Sequence, residues 1–168
     1  MFSHIGFAQA LLFVVLTVGL YRIRAWLPGS GLRAWHQRQT VRFTTARWPR
    51  VLLLELTELA LAGVFLLVGG AKLIGQPDMV ALFRDIGVGQ WFRYVTGSIE
   101  VVSGLALLVP SLAPFGALLL APTMVCAIAT HLFIVGGSPM PATVLLAGSL
   151  AIAWARRGQL VSAWSRLH

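Results

Sequence analysis

The chain has 168 residues, 58% of them hydrophobic and 11% charged, against about 25% charged in an ordinary soluble domain. Thirteen basic and five acidic residues are too few to cover a soluble globule of this length with polar surface, so a lipid bilayer is the expected solvent. The formal charge of +8 does not mark a nucleic-acid binder, because no such module accompanies it and the cations concentrate between Arg22 and Arg50, flanked by apolar runs. The one cysteine, Cys126, rules out an internal disulfide and a C-x-x-C redox pair.

A hydrocarbon core of roughly 30 Å takes about 20 apolar residues in a helix, and the sequence offers five runs near that size. The first, residues 5–21, has no basic segment before it and no small-residue cleavage site after it, so it reads as a retained membrane helix. A basic loop, residues 22–50, follows. Its tryptophans Trp26, Trp35 and Trp48 among arginines suit a position on anionic headgroups. The second run, 51–71, carries Glu55 and Glu58 one turn apart and ends at Lys72. Within the longer loop to Arg93, residues 78–86 are expected to form a short helix on the membrane surface. Runs 94–109, 115–135 and 142–154 complete the set, the first and last of these needing their flanks to reach across. The links at 110–114 and 136–141 are short enough to make successive helices antiparallel neighbours. The expected organisation is therefore all-α. It comprises an N-terminal transmembrane helix (1–21), a basic interfacial loop (22–50), a four-helix membrane bundle (51–157) and a tail (158–168).

Arginine placement sets the expected orientation. Arg22, Arg24, Arg33, Arg38, Arg42, Arg47 and Arg50 put the first loop in the cytoplasm, and Arg156, Arg157 and Arg166 put the C-terminus there as well. Four crossings separate the two clusters, an even number, and the N-terminus falls outside.

Ionisable groups inside a span are costly and mark interior sites. Glu100 lies about 9 Å into its span at 1.5 Å per residue, with Gly97 and Gly104 on its face, so a neighbouring helix can approach the carboxylate closely. His131 lies near the same end of the next span, at a depth that would let it share a proton with Glu100. Lys72 either snorkels to the headgroups or turns inward at that depth. Glu58 and Lys72 are about 21 Å apart along one helix and roughly 40° apart in azimuth, a spacing that admits a path along one face. Glu55 is expected to answer Arg47 and Arg50 at the interface. Only His131 among the histidines lies within a span, which excludes a bis-histidine haem held by this chain alone. Walker, Rossmann and H-E-x-x-H motifs are absent from the sequence, and no metal site is expected.

The ordered set Ala62-Gly63-Val64-Phe65, Gly69-Gly70-Ala71-Lys72-Leu73, Gly97-Ser98-Ile99-Glu100 with Gly104, Pro110, Gly116-Ala117-Leu118-Leu119-Leu120 and Ala127-Ile128-Ala129-Thr130-His131 resembles the DoxX-like family of small bacterial membrane proteins over about residues 55–157. The resemblance implies a four-helix membrane bundle whose signature positions correspond to Lys72, Glu100 and His131. It also implies, for some relatives, membrane-bound oxidation of sulfur compounds connected to quinone, or oxidative-stress complexes; most relatives have no assigned activity. The first 50 residues stand apart from the four-helix pattern.

Three functions fit these residues. The leading one is an inner-membrane subunit of a redox complex, with quinone as the candidate cofactor, Glu100 and His131 handling protons and Lys72 steering an anionic or carbonyl group. The second is a non-catalytic scaffold whose basic loop recruits a protein or anionic lipid. The third is a small transporter or proton path gated by Glu58 and Lys72. Expected partners are the bilayer and a protein partner or second copy, and no nucleic acid.

Overall fold

The computed structural model describes residues 9, 13, 15–22 and 48–165, and among them there is no strand. Residues 15–22 are helical. The remaining elements are α1 (Trp48–Leu73), α2 (Pro77–Ile86), α3 (Gln90–Leu108), α4 (Ala113–Thr130) with a π-helical turn appended (His131–Val135), α5 (Met140–Ala155) and α6 (Arg157–Trp164). The protein is an all-α membrane protein. The stretches 49–73 and 113–135 are long and apolar enough to cross a bilayer, and α5 is a shorter apolar helix. At 1.5 Å per residue the 19 residues of α3 reach about 28 Å, close to the hydrocarbon thickness. The flanks expected to lengthen that span do so at its start, from Gln90.

Local chemistry explains the breaks. Pro77 opens α2, where its missing N–H costs nothing. Gly87, at φ +79°, closes α2 in the left-handed conformation that favours glycine, its N–H bonded to the Arg84 carbonyl. Pro110 and Pro114 bracket the tight link from α3 into α4, and prolines at 139 and 141 mark the entry to α5.

The helices α1, α3, α4 and α5 close into a ring of neighbours: α1 packs on α3, α3 on α4, α4 on α5, and α5 returns to α1. Their shared interior holds Ala62, Phe65, Leu107, Ala117, Leu120 and Ile152, none more than 1% exposed. Large apolar side chains also cover the outside, Leu53, Leu67, Val102, Val125 and Val144 among them. In water such a surface would be unfavourable, whereas lipid tails solvate it as well as the core does. Residues 15–22 lie against this bundle through Val15 and Val18. The rest of the first expected span and residues 23–47 of the basic loop lie outside the described residues. Arg22, expected in that loop, is instead helical and 6% exposed, and the expected tail is helical to Trp164.

Candidate functional site

Lys72 and Glu100 come together because glycine lets α1 and α3 touch. A Cβ on Gly69 would stand 2.9 Å from the Gly97 carbonyl oxygen and from Glu100 Cβ; one on Gly97 would stand 3.0 Å from Lys72 Cβ. Gly104 meets Ala62 and Leu66 in the same way further along. The flanking glycines thus bring a neighbour against the carboxylate, and that neighbour carries the counter-ion. Lys72 turns inward: its Nζ donates to Glu100 Oε1 at 2.5 Å, with the two side chains 12% and 1% exposed.

The helix α2 covers this pair. Phe83, 4% exposed, places its ring centroid 5.9 Å from Lys72 Nζ, a cation–π contact. Arg93 is also buried. Its Nη1 donates to the Lys72 carbonyl and its Nε to Gln90 Oε1 at 2.9 Å, while Gln90 Nε2 donates to the Val80 carbonyl at 3.0 Å. Its guanidinium carbon lies 4.3 Å from the centroid of the Tyr94 ring. These contacts tie the end of α1 to the start of α3 and to α2. Glu100 Oε2, by contrast, is buried and has no hydrogen-bond partner among the described residues, and the same is true of Ser103 Oγ one turn on.

His131 does not join the pair. It is half-buried at the first position of the π turn, and its Nδ1 lies 3.2 Å from the Gly136 carbonyl oxygen. A carbonyl only accepts, so this contact assigns the proton to Nδ1. Among the described residues Glu100 is bonded to Lys72 and His131 to Gly136, and the expected Glu100–His131 proton bridge is not made. The π turn ends at Gly136, at φ +76°, and brings a helix-end carbonyl within reach of the imidazole.

A second cluster occupies the opposite end of the bundle. Arg22 Nη2 lies 2.6 Å from Glu58 Oε2 and 2.7 Å from Glu55 Oε2. Arg156 grips both oxygens of Glu58, Nη2 to Oε2 at 2.9 Å and Nε to Oε1, and reaches Glu55 Oε1 at 3.2 Å. Arg22 Nη1 also donates to the Leu107 and Leu108 carbonyls at 3.1 and 3.4 Å. With its amide oriented to suit its neighbours, Gln159 donates to the Pro110 carbonyl at 2.9 Å and accepts from Arg156 Nη1 at 3.3 Å. Two carboxylates and two guanidiniums balance, as burial requires.

This cluster corrects two expectations. Glu55 pairs with Arg22 and Arg156 rather than with Arg50, which is exposed; Arg47 lies outside the described residues. Glu58 and Lys72 are each held by a partner, and Ala62, Phe65 and Leu66 between them are at most 2% exposed, so packed hydrocarbon fills the face that a path would need. Sequence reasoning counted Arg22 and Arg156 as cytoplasmic charges and passed over Arg93 and Phe83. The available signal was charge balance: two acids within one span of 51–71 need two cations from elsewhere.

The model of the DoxX-like family matches residues 56–156, which takes in α1 from its third turn through α5, together with Lys72, Glu100, His131, Glu58 and Arg156. The chain belongs to the DoxX-like family. No curated protein and no solved structure matches it. Of the two clusters, Lys72–Glu100 lies wholly within the DoxX-like region. The Arg156 cluster draws Arg22 and Glu55 from outside the matched residues.

Proposed function

We propose that this DoxX-like protein is a bacterial inner-membrane subunit of a redox complex that acts at the quinone level, with the Lys72–Glu100 pair as its polar site. The observation that supports this is the state of Glu100: one carboxylate oxygen on Lys72, the other buried and without a partner among the described residues. A carboxylate so placed can accept a hydrogen bond, and then a proton, from the hydroxyl of a reduced quinone, while the adjacent ammonium holds its charge in place. Oxidation of a quinol to a quinone would release two electrons and two protons; the electrons would pass to a redox centre on a partner protein, one proton to Glu100 and the other to water at the outer surface. On this reading the Lys72 end faces outside and the Arg156 end the cytoplasm, which the arginine count supports. His131, bonded to Gly136, serves in this reading as a later proton acceptor near the outer surface.

The test is quinol-dependent electron transfer in purified membranes. Glu100→Gln should lower the rate at least about a hundredfold, the lower end of a proton-transfer contribution, with the protein still present and folded. Full activity in that variant removes the carboxylate from the mechanism.

The Arg156 cluster favours a second reading, a membrane scaffold, because its two carboxylates and two guanidiniums answer one another's charge. On that reading Glu100→Gln lowers stability in detergent and leaves electron transfer per folded protein intact. Neutralising the arginines of residues 23–47 would then abolish partner recruitment.

A further inference from the structure

The two ion clusters stand at opposite ends of one helix pair. Lys72 lies near the C-terminal end of α1 and Glu58 about four turns before it, towards the middle of that helix; Glu100 and the terminal residue Leu108 mark the corresponding levels of α3. Between them the helices touch through Gly69, Gly97 and Gly104. At the Arg156 end α3 has no basic residue in its last turn, and its final carbonyls have no i+4 donors in their own helix. In apolar surroundings such groups need an outside donor.

Arg22 supplies it. The residue comes from the N-terminal helical segment, which lies so close to α1 that a Cβ on Gly19 would stand 2.9 Å from Leu59 Cδ1. One arm of the guanidinium holds Glu55 and Glu58 on α1, and the other donates to Leu107 and Leu108 on α3. A planar fork with donors on separate nitrogens in fixed geometry makes both attachments at once with little loss of side-chain freedom, where an ammonium concentrates its donors on one atom.

We infer that Arg22 is a positioning residue for the Lys72–Glu100 site: it joins α1 to the C-terminal carbonyls of α3 and so fixes the separation and register of the two helices that carry that pair. This takes the pair as the functional site and to that extent rests on the reading above, although the test needs no quinone. The N-terminal segment then acts as a working part of the DoxX-like bundle.

Lys72 is the one lysine in the sequence, and its side chain is 12% exposed. Its acylation in detergent, located by peptide mass spectrometry, therefore reports how often the pair opens. Two variants separate a tie from a counter-ion. Arg22→Gln removes both; Arg22→Gln with Glu55→Gln removes the tie but leaves one carboxylate and one guanidinium in balance. Labelling is measured well below each unfolding midpoint, so global unfolding does not contribute.

Both variants should label Lys72 at least about threefold faster than the parent, within the range of measured couplings between linked groups. Should Arg22→Gln fail to fold, the charge-balanced double variant carries the test. A double variant that labels at the parent's rate overturns the inference, since Arg22 would then be a counter-ion and nothing more. If labelling accelerates while Glu100→Gln keeps full electron transfer, the positioning role stands and the redox reading fails.

Discussion

Glu58 is the most completely enclosed charge described, with a side chain at 0% exposure between two guanidiniums; Glu55, at 8%, shares the same arginines at the edge. Taking a buried ion pair out of solvent is expensive, and removing one partner leaves the other uncompensated at a cost of about 3–5 kcal/mol. Glu58→Gln should therefore lower the unfolding midpoint in mild detergent much more than Glu55→Gln, and equal shifts would contradict the assigned geometry. Lys72→Met should be costly for the same reason, since it strands Glu100 at 1% exposure. The carboxylates were legible in the sequence because an acid inside an apolar run is conspicuous. Their partners were not, as Arg22 and Arg156 lie 36 and 98 positions from Glu58, and a guanidinium at a span's end looks the same whether it faces headgroups or the interior.

At the level of elements, glycines decide which helices approach. Gly116 puts α4 against α3 so tightly that a Cβ would stand 2.8 Å from the Ser103 carbonyl oxygen, and backbone cannot move aside as a side chain can. Gly116→Ala should thus destabilise the bundle by about 1–3 kcal/mol. On α1, a Cβ at Gly63 meets nothing within 4 Å, and Gly63→Ala should be neutral or stabilising, up to about 1 kcal/mol from helix propensity. Thermal unfolding of the two variants in one detergent gives the comparison, and the reverse order would reject the packing described. The spacing of Gly97 and Gly104 about Glu100 foretold a close neighbour, while Gly63 and Gly69 share one apolar run and differ only in what stands opposite. The π turn at His131–Val135 was likewise invisible, because nothing in the apolar run 115–135 distinguishes a widened turn from an α-helical one.

For the whole molecule, the apolar exterior and the paired interior are one consequence of solvation by lipid. Hydrocarbon tolerates exposed leucine and valine but solvates no charge, so the ionised groups of the spans gather in the interior. Cys126, exposed on α4 and the only cysteine in the sequence, provides a measurement that needs no substitution. A nitroxide attached there, with the protein in liposomes, should collide with molecular oxygen far more often than with a water-soluble nickel chelate. The opposite preference would place this face of α4 in water.

The apolar content and the run lengths settled the solvent, the all-α class and the order of the helices, because each is a sum over many residues that no single contact can reverse. Depth along a helix also follows from counting, which is why Lys72 and Glu100 were rightly put at one level. Azimuth, helix separation and charge pairing depend on residues far apart in the chain meeting through specific side chains. Packing alone decided that Lys72 turns inward, that His131 bonds to Gly136, and that an arginine expected in a loop joins Glu55 and Glu58 of α1 to the C-terminal end of α3.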